Sequence, residues 1–124
     1  MIKKIAVAAF AVSAMTMTAF AADGDVGGKY KVQGTNFDGS KYSGDAEITI
    51  TSGTTCNIEW HTGEGSNSSG ICMRNDDAFS AAYVMKDGSI GLIIYKMNDD
   101  HTMEGIWTLS GKEGSGTEVL TPEK

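Results

Sequence analysis

Few side chains in this sequence are equipped for chemistry, and their spacing limits what chemistry is available. His61 and His101 are the only histidines, and hence the only side chains whose ordinary pKa suits a general base near neutral pH. Both fall where a strand-like segment meets a turn, with no recognisable nucleophile beside them in sequence. No G-x-S-x-G, G-x-G-x-x-G, Walker A or H-E-x-x-H string occurs. No catalytic residue is assigned, and the chain reads as a non-enzyme. The pairs Asp76-Asp77 and Asp99-Asp100 sit among turn formers, where acidic side chains more often shape the turn than act as acids or ligands. Met97, His101 and Met103 flank one turn with the soft thioether and imidazole donors that suit copper(I). Packing methionines and a turn histidine account for the same spacing, so no metal and no cofactor is assigned.

Cys56 and Cys72 are the only cysteines, without C-x-x-C spacing, and Gly63-Glu64-Gly65 lies midway between them. A hairpin turning there sets the two thiols opposite one another, and a disulfide is expected. Its context is set by the first residues. Lys3 and Lys4, the apolar run from Ile5 to Val12 and the small-x-small triplet Ala19-Phe20-Ala21 make residues 1–21 a signal peptide, leaving 22–124 as a single domain. The expected location is therefore periplasmic or secreted, an oxidising compartment in which a cysteine pair bonds. Removing Lys3 and Lys4 leaves eight basic against sixteen acidic residues. Such a surface disfavours nucleic acid and anionic membranes as partners, and the apolar core of the leader is too short to serve comfortably as a membrane span.

The elements that must position these residues are β-strands. Sixteen glycines against one proline, many β-branched residues and turn signals every ten to twelve residues indicate an all-β class. The spacing predicts eight antiparallel strands near Lys29–Thr35, Tyr42–Thr51, Thr54–Thr62, Ser68–Arg74, Ala78–Met85, Ile90–Met97, Thr102–Ser110 and Ser115–Thr121. Such an up-and-down meander avoids exposed edges by closing into a small barrel. Met73, Met85 and Met97 recur at an interval of twelve, read as the length of one strand plus its turn.

The segment Ile90 to Leu109 is the clearest hairpin. A five-residue loop pairs Met97 with Met103, Tyr95 with Gly105, Ile93 with Trp107 and Gly91 with Leu109. An aromatic then covers the backbone that a cross-strand glycine leaves bare. Lys96 meets Glu104 and Ile94 meets Ile106 on the other face. That register puts Tyr95 and Trp107 inside and leaves Ile90, Leu92, Ile94 and Ile106 outside, so a homodimer or partner-binding face centred on Leu92, Ile94 and Ile106 is expected. If Cys56 points inward with Ile58 and Trp60, Gly70 and Cys72 do too, which strands Ile71 and Met73 outside. Either small residues opposite Trp60 make room for the indole or a bulge reverses the facing.

The order and spacing of Tyr42-x-Gly44, Ile48-x-Ile50, Ile58-x-Trp60, Gly70, Tyr95, Gly105-x-Trp107 and Gly114-x-Gly116-Thr117-Glu118 resemble a family of small secreted bacterial proteins with an avidin-like or calycin-like eight-stranded barrel, some of them labelled fibronectin-binding. Cys56 and Cys72 depart from that pattern. The resemblance implies a barrel fold, and fibronectin or a similar matrix protein as a partner. From the residues themselves, the leading expectation is a non-enzymatic protein that meets a macromolecular partner through loops or an outer face. The alternative is a barrel for a small apolar ligand, walled by Trp60, Tyr95 and Trp107. An empty apolar lumen of a few hundred cubic ångströms distinguishes the second from the first.

Overall fold

Residues 26–63 and 65–124 are described by the computed structural model. The expected leader lies outside the described residues, as does Glu64 in the predicted turn. Eight strands follow in order: β1 (Gly28–Thr35), β2 (Lys41–Ile50), β3 (Thr55–Thr62), β4 (Ser66–Asn75), β5 (Ala78–Met85), β6 (Ile90–Met97), β7 (Met103–Leu109) and β8 (Gly116–Pro122). Each pairs antiparallel with its neighbours in sequence, and β8 pairs with β1, so the sheet closes into an up-and-down barrel. Strand ends differ from the sequence expectation by one or two residues, as in β4, which begins at Ser66 rather than Ser68.

The register of the β6–β7 hairpin is the one read from the sequence, with Tyr95 opposite Gly105 and Ile93 opposite Trp107. Alternation is regular because each strand buries one face. Cys56, Ile58 and Trp60 are buried on β3, while Asn57 and Glu59 between them are exposed. The question left open at β4 resolves without a bulge: β3 and β4 pair residue for residue from Thr55 opposite Met73 to Thr62 opposite Ser66. Cys72 is buried, and Ile71 and Met73 are 68% and 57% exposed. Room for the Trp60 indole comes from Ser68 directly opposite it. The twelve-residue methionine repeat consequently places no common face, since Met73 points out whereas Met97 packs against the core.

The barrel has two unlike ends. Around the first, where β1 begins and β8 finishes, Val26, Tyr30, Ile48, Phe79, Met103 and Leu120 are buried together, and the Tyr30 hydroxyl donates to the Val26 carbonyl at 2.6 Å. Cys56 and Cys72 face each other in this packed half and are bonded, with Cα atoms 5.0 Å apart. The second end carries the β1–β2, β3–β4, β5–β6 and β7–β8 loops, and there the core does not close.

Candidate functional site

Glycines placed opposite aromatics shape the interior of the open half. Tyr42 lies across Gly34, Tyr83 across Gly91, Tyr95 across Gly105 and Trp107 across Gly116, each pair on adjacent strands. A Cβ on any of these four glycines would overlap the ring above it; at Gly105 it would fall 2.6 Å from Tyr95. With nothing but backbone beneath them, the rings lie along the barrel wall. A cross-strand aromatic over a glycine contributes a few tenths to about 1 kcal/mol.

Two of these pairs share a centre. Reading around the sheet, Tyr42 on β2, Gly34 on β1, Glu118 on β8, Gly105 on β7 and Tyr95 on β6 stand in one row. Adjacent strands are about 4.8 Å apart, so each tyrosine crosses one glycine-bearing strand and reaches the carboxylate on the next. The Tyr42 hydroxyl donates to Glu118 Oε1 at 2.8 Å, and the Tyr95 hydroxyl donates to Oε2. From the opposite wall, Trp60 Nε1–H donates to Oε2 at 2.9 Å. Glu118 is 4% exposed. Burial pushes its carboxyl above the usual carboxylate range, and the three hydrogen bonds pull it partly back. The tyrosines respond in kind: burial and the neighbouring carboxylate push Tyr83 up to about 12, and Tyr42 and Tyr95 higher still, so all three stay neutral hydroxyls.

Above this row lies an open cup of about 400 Å³. Its walls include Trp60 against Tyr83, with ring centres 5.3 Å apart and tilted by 61°. On the other side Trp107 packs against Tyr42 at 6.2 Å and against Phe37, from the β1–β2 turn, at 4.8 Å. The Trp107 indole donates to the Thr117 carbonyl at 3.2 Å and the Tyr83 hydroxyl to the Thr108 carbonyl at 2.9 Å, so both rings are fixed at their polar tips. Ile93 and Glu118 lie at the inner side, with Asn36, Thr62, Ser66 and Lys112 around the mouth.

Among the residues singled out from sequence, Trp60 and Trp107 line the cup, whereas Tyr95 lies beneath it in the core and reaches the site only through Glu118. Trp107 forms part of the wall at the open end. Leu92, Ile94 and Ile106 are 59%, 58% and 52% exposed. Their face extends past Ala82 and Ser80 on β5 to Ile71 and Met73 on β4, so small side chains on β5 form the floor of an apolar trough. The copper grouping is not assembled as a site: Met103 is buried, and His101 is exposed in its turn at φ 71°. Sequence reading assigned no role to Glu118, Tyr83 or Phe37. The signal for Glu118 is its place in the alternation Gly116-x-Glu118-x-Leu120, where a lone acid shares the inward face.

Fold and site together define a closed eight-stranded β-barrel, filled at one end and cupped at the other. No family model matches the chain, and neither does any curated protein. Solved structures do resemble it. A redesigned β-barrel superposes with TM-score 0.70 at 17% identity, covering 80% of this chain and 92% of the other. A redesigned β-barrel bound to DFHBI gives 0.68 at 18% identity, with 77% and 94% covered. A de novo designed fluorescence-activating β-barrel gives 0.64 at 15%, with 78% and 93% covered. At these identities the likeness is one of fold.

Proposed function

We propose that this chain is an exported, non-enzymatic binding protein that holds a small ligand in the aromatic cup. The observation that carries the reading is the cup itself: about 400 Å³ left open in a barrel whose other half is packed solid. A barrel that served only as a scaffold for its outer face would gain stability by filling that space, since every unfilled void forfeits packing. Aromatic walls with a few fixed polar groups are the usual make-up of a small-molecule site. The similar barrel bound to DFHBI supports the idea that this architecture has room for one small molecule. The bonded cysteine pair supports an oxidising location.

The test is to titrate the purified chain with an environment-sensitive apolar dye, beside a Ser68→Phe variant. Ser68 lines the cup opposite Trp60, so a phenyl ring there occupies the space. Saturable binding by the parent chain and at least tenfold weaker binding by the variant are expected. Equal binding by both would place the dye elsewhere and end the reading.

The exposed aliphatic face favours a second reading, compatible with the first. Ile71, Met73, Ile90, Leu92, Ile94 and Ile106 are each more than half exposed. By contrast, the outward positions of β1 to β3 include Lys31, Asp45, Glu47, Asn57 and Glu59, all exposed. One side of the barrel is thus apolar and the other charged, an arrangement suited to a two-fold contact with a second copy.

A further inference from the structure

We propose that the ligand of the cup is a small aromatic amine in its protonated form, bound with its ammonium on Glu118 and its ring between the aromatic walls. This rests on the reading of the cup as a ligand site and adds the charge of the ligand. Glu118 is almost wholly removed from water, yet all three of its hydrogen-bond donors are neutral groups: two phenols and an indole. Among the described residues, no cation is paired with it. An acid–base contact forms elsewhere, on the outside of β3, where His61 lies 3.8 Å from Glu59. Lys112, the one base lining the cup among the described residues, is exposed on the β7–β8 loop. A buried carboxylate is ordinarily matched by a positive charge, because desolvating it uncompensated is costly.

The acceptor capacity is also incomplete. An ionised carboxylate offers about four lone-pair sites. Oε2 accepts from Trp60 and Tyr95, whereas Oε1 accepts from Tyr42 alone. One site on Oε1 therefore remains for a donor arriving through the cup that Glu118 lines. Trp60, Tyr83, Tyr42, Trp107 and Phe37 present π-faces, which attract a cation and stack on an aromatic body. The formal net charge of −6 raises the local concentration of cations further. An anionic ligand would meet the carboxylate head-on. A neutral apolar one would complete its desolvation and return nothing.

Three compounds with one indole body separate the possibilities by calorimetry: tryptamine as the cation, indole-3-ethanol as the neutral form and indole-3-acetate as the anion. Tryptamine is expected to bind about tenfold or more tighter than the alcohol, as a hydrogen bond to a charged group implies, with the acetate weakest. The preference should survive about 1 M salt, where screening length falls to roughly 3 Å and diffuse attraction to an acidic surface is lost. As pH falls and Glu118 takes up a proton, tryptamine affinity should drop to that of the alcohol or below it, while the alcohol's own affinity holds or rises because the carboxyl it covers is no longer charged. That comparison needs no variant. Glu118→Gln, where it folds, should abolish the preference at neutral pH. If the alcohol binds as tightly as the amine, or the preference vanishes in high salt, the amine assignment is overturned and the cup stands. If none of the three binds at millimolar concentration, both fall.

Discussion

Glu118 is a single residue that joins four strands. It sits on β8 and accepts from Tyr42 on β2, Trp60 on β3 and Tyr95 on β6, spanning the lumen as well as the wall. Because burial raises its pKa, the native protein still holds this proton at pH values where the unfolded chain has released it. Its contribution to stability is therefore full below the unfolded value of about 4.3 and declines as pH rises toward the raised native one. Three turn carboxylates act in the opposite sense. Asp38, Asp87 and Asp100 are held below their ordinary value by hydrogen bonds from Ser40, Ser89 and Thr102, so what they contribute is lost as pH falls through those lowered values. The urea midpoint is thus expected to decline as pH climbs above about 4.3, until Glu118 is fully ionised. Glu118→Gln should remove that slope while retaining the acid-side loss; an unchanged slope would mean another group carries it. Glu118 itself was hard to read from sequence. An acid alternating with Gly116 and Leu120 is visible, but its donors lie 76, 58 and 23 residues away, and only closure of β8 onto β1 brings them near.

At the scale of the element, hairpins were legible because period-two alternation and turn chemistry act locally. Tyr95 opposite Gly105 and Cys56 opposite Cys72 follow from counting outward from a turn. The same count, outward from Asp87-Gly88 and Asp38-Gly39, pairs Tyr83 with Gly91 and Tyr42 with Gly34. The glycines of these pairs carry the consequence. Gly105→Ala puts a methyl 2.6 Å from the Tyr95 ring and 2.7 Å from the Ile94 carbonyl. Overpacking of this kind costs about 1–3 kcal/mol, and here it also lifts Tyr95 away from Glu118. A loss of that size in urea unfolding is expected, together with weaker ligand binding; a neutral substitution would show that the ring can shift freely. The outer trough between β4 and β6 makes a separate claim. If a second copy covers it, sedimentation of the parent chain shows a dimer at micromolar concentration, and Ile94→Lys shows a monomer with ligand binding intact. A parent chain that remains monomeric throughout removes self-association.

The whole molecule divides its labour between its ends. At the packed end, the Cys56–Cys72 bond closes a loop with sequence separation 16, a length for which the chain-entropy model gives about 3 kcal/mol. Replacing both cysteines by alanine should lower unfolding free energy by roughly 2–4 kcal/mol, yet leave cup affinity within about twofold, because neither residue lines the cup. A large loss of affinity would mean that the two ends are coupled. Overall class and closure could be foreseen from strand number and the cost of exposed edges. The half-empty interior could not be foreseen, since it depends on how far Trp60, Tyr83 and Trp107 reach across a lumen whose width only the finished barrel sets.

Up-and-down order has one more consequence, which follows from the alternation of loops between the ends. β1 starts and β8 stops on the packed side, so a tether fixed to the start of β1 or the end of β8 would point the mouth away from its anchor. The β1–β2, β3–β4, β5–β6 and β7–β8 loops could then be exchanged like cassettes around a fixed socket. The disulfide, the plug of Val26 and Tyr30 and the trough on the outer wall would all remain in place. Selection or design could retune what enters the mouth by rewriting four short connections while the core sequence stays as it is.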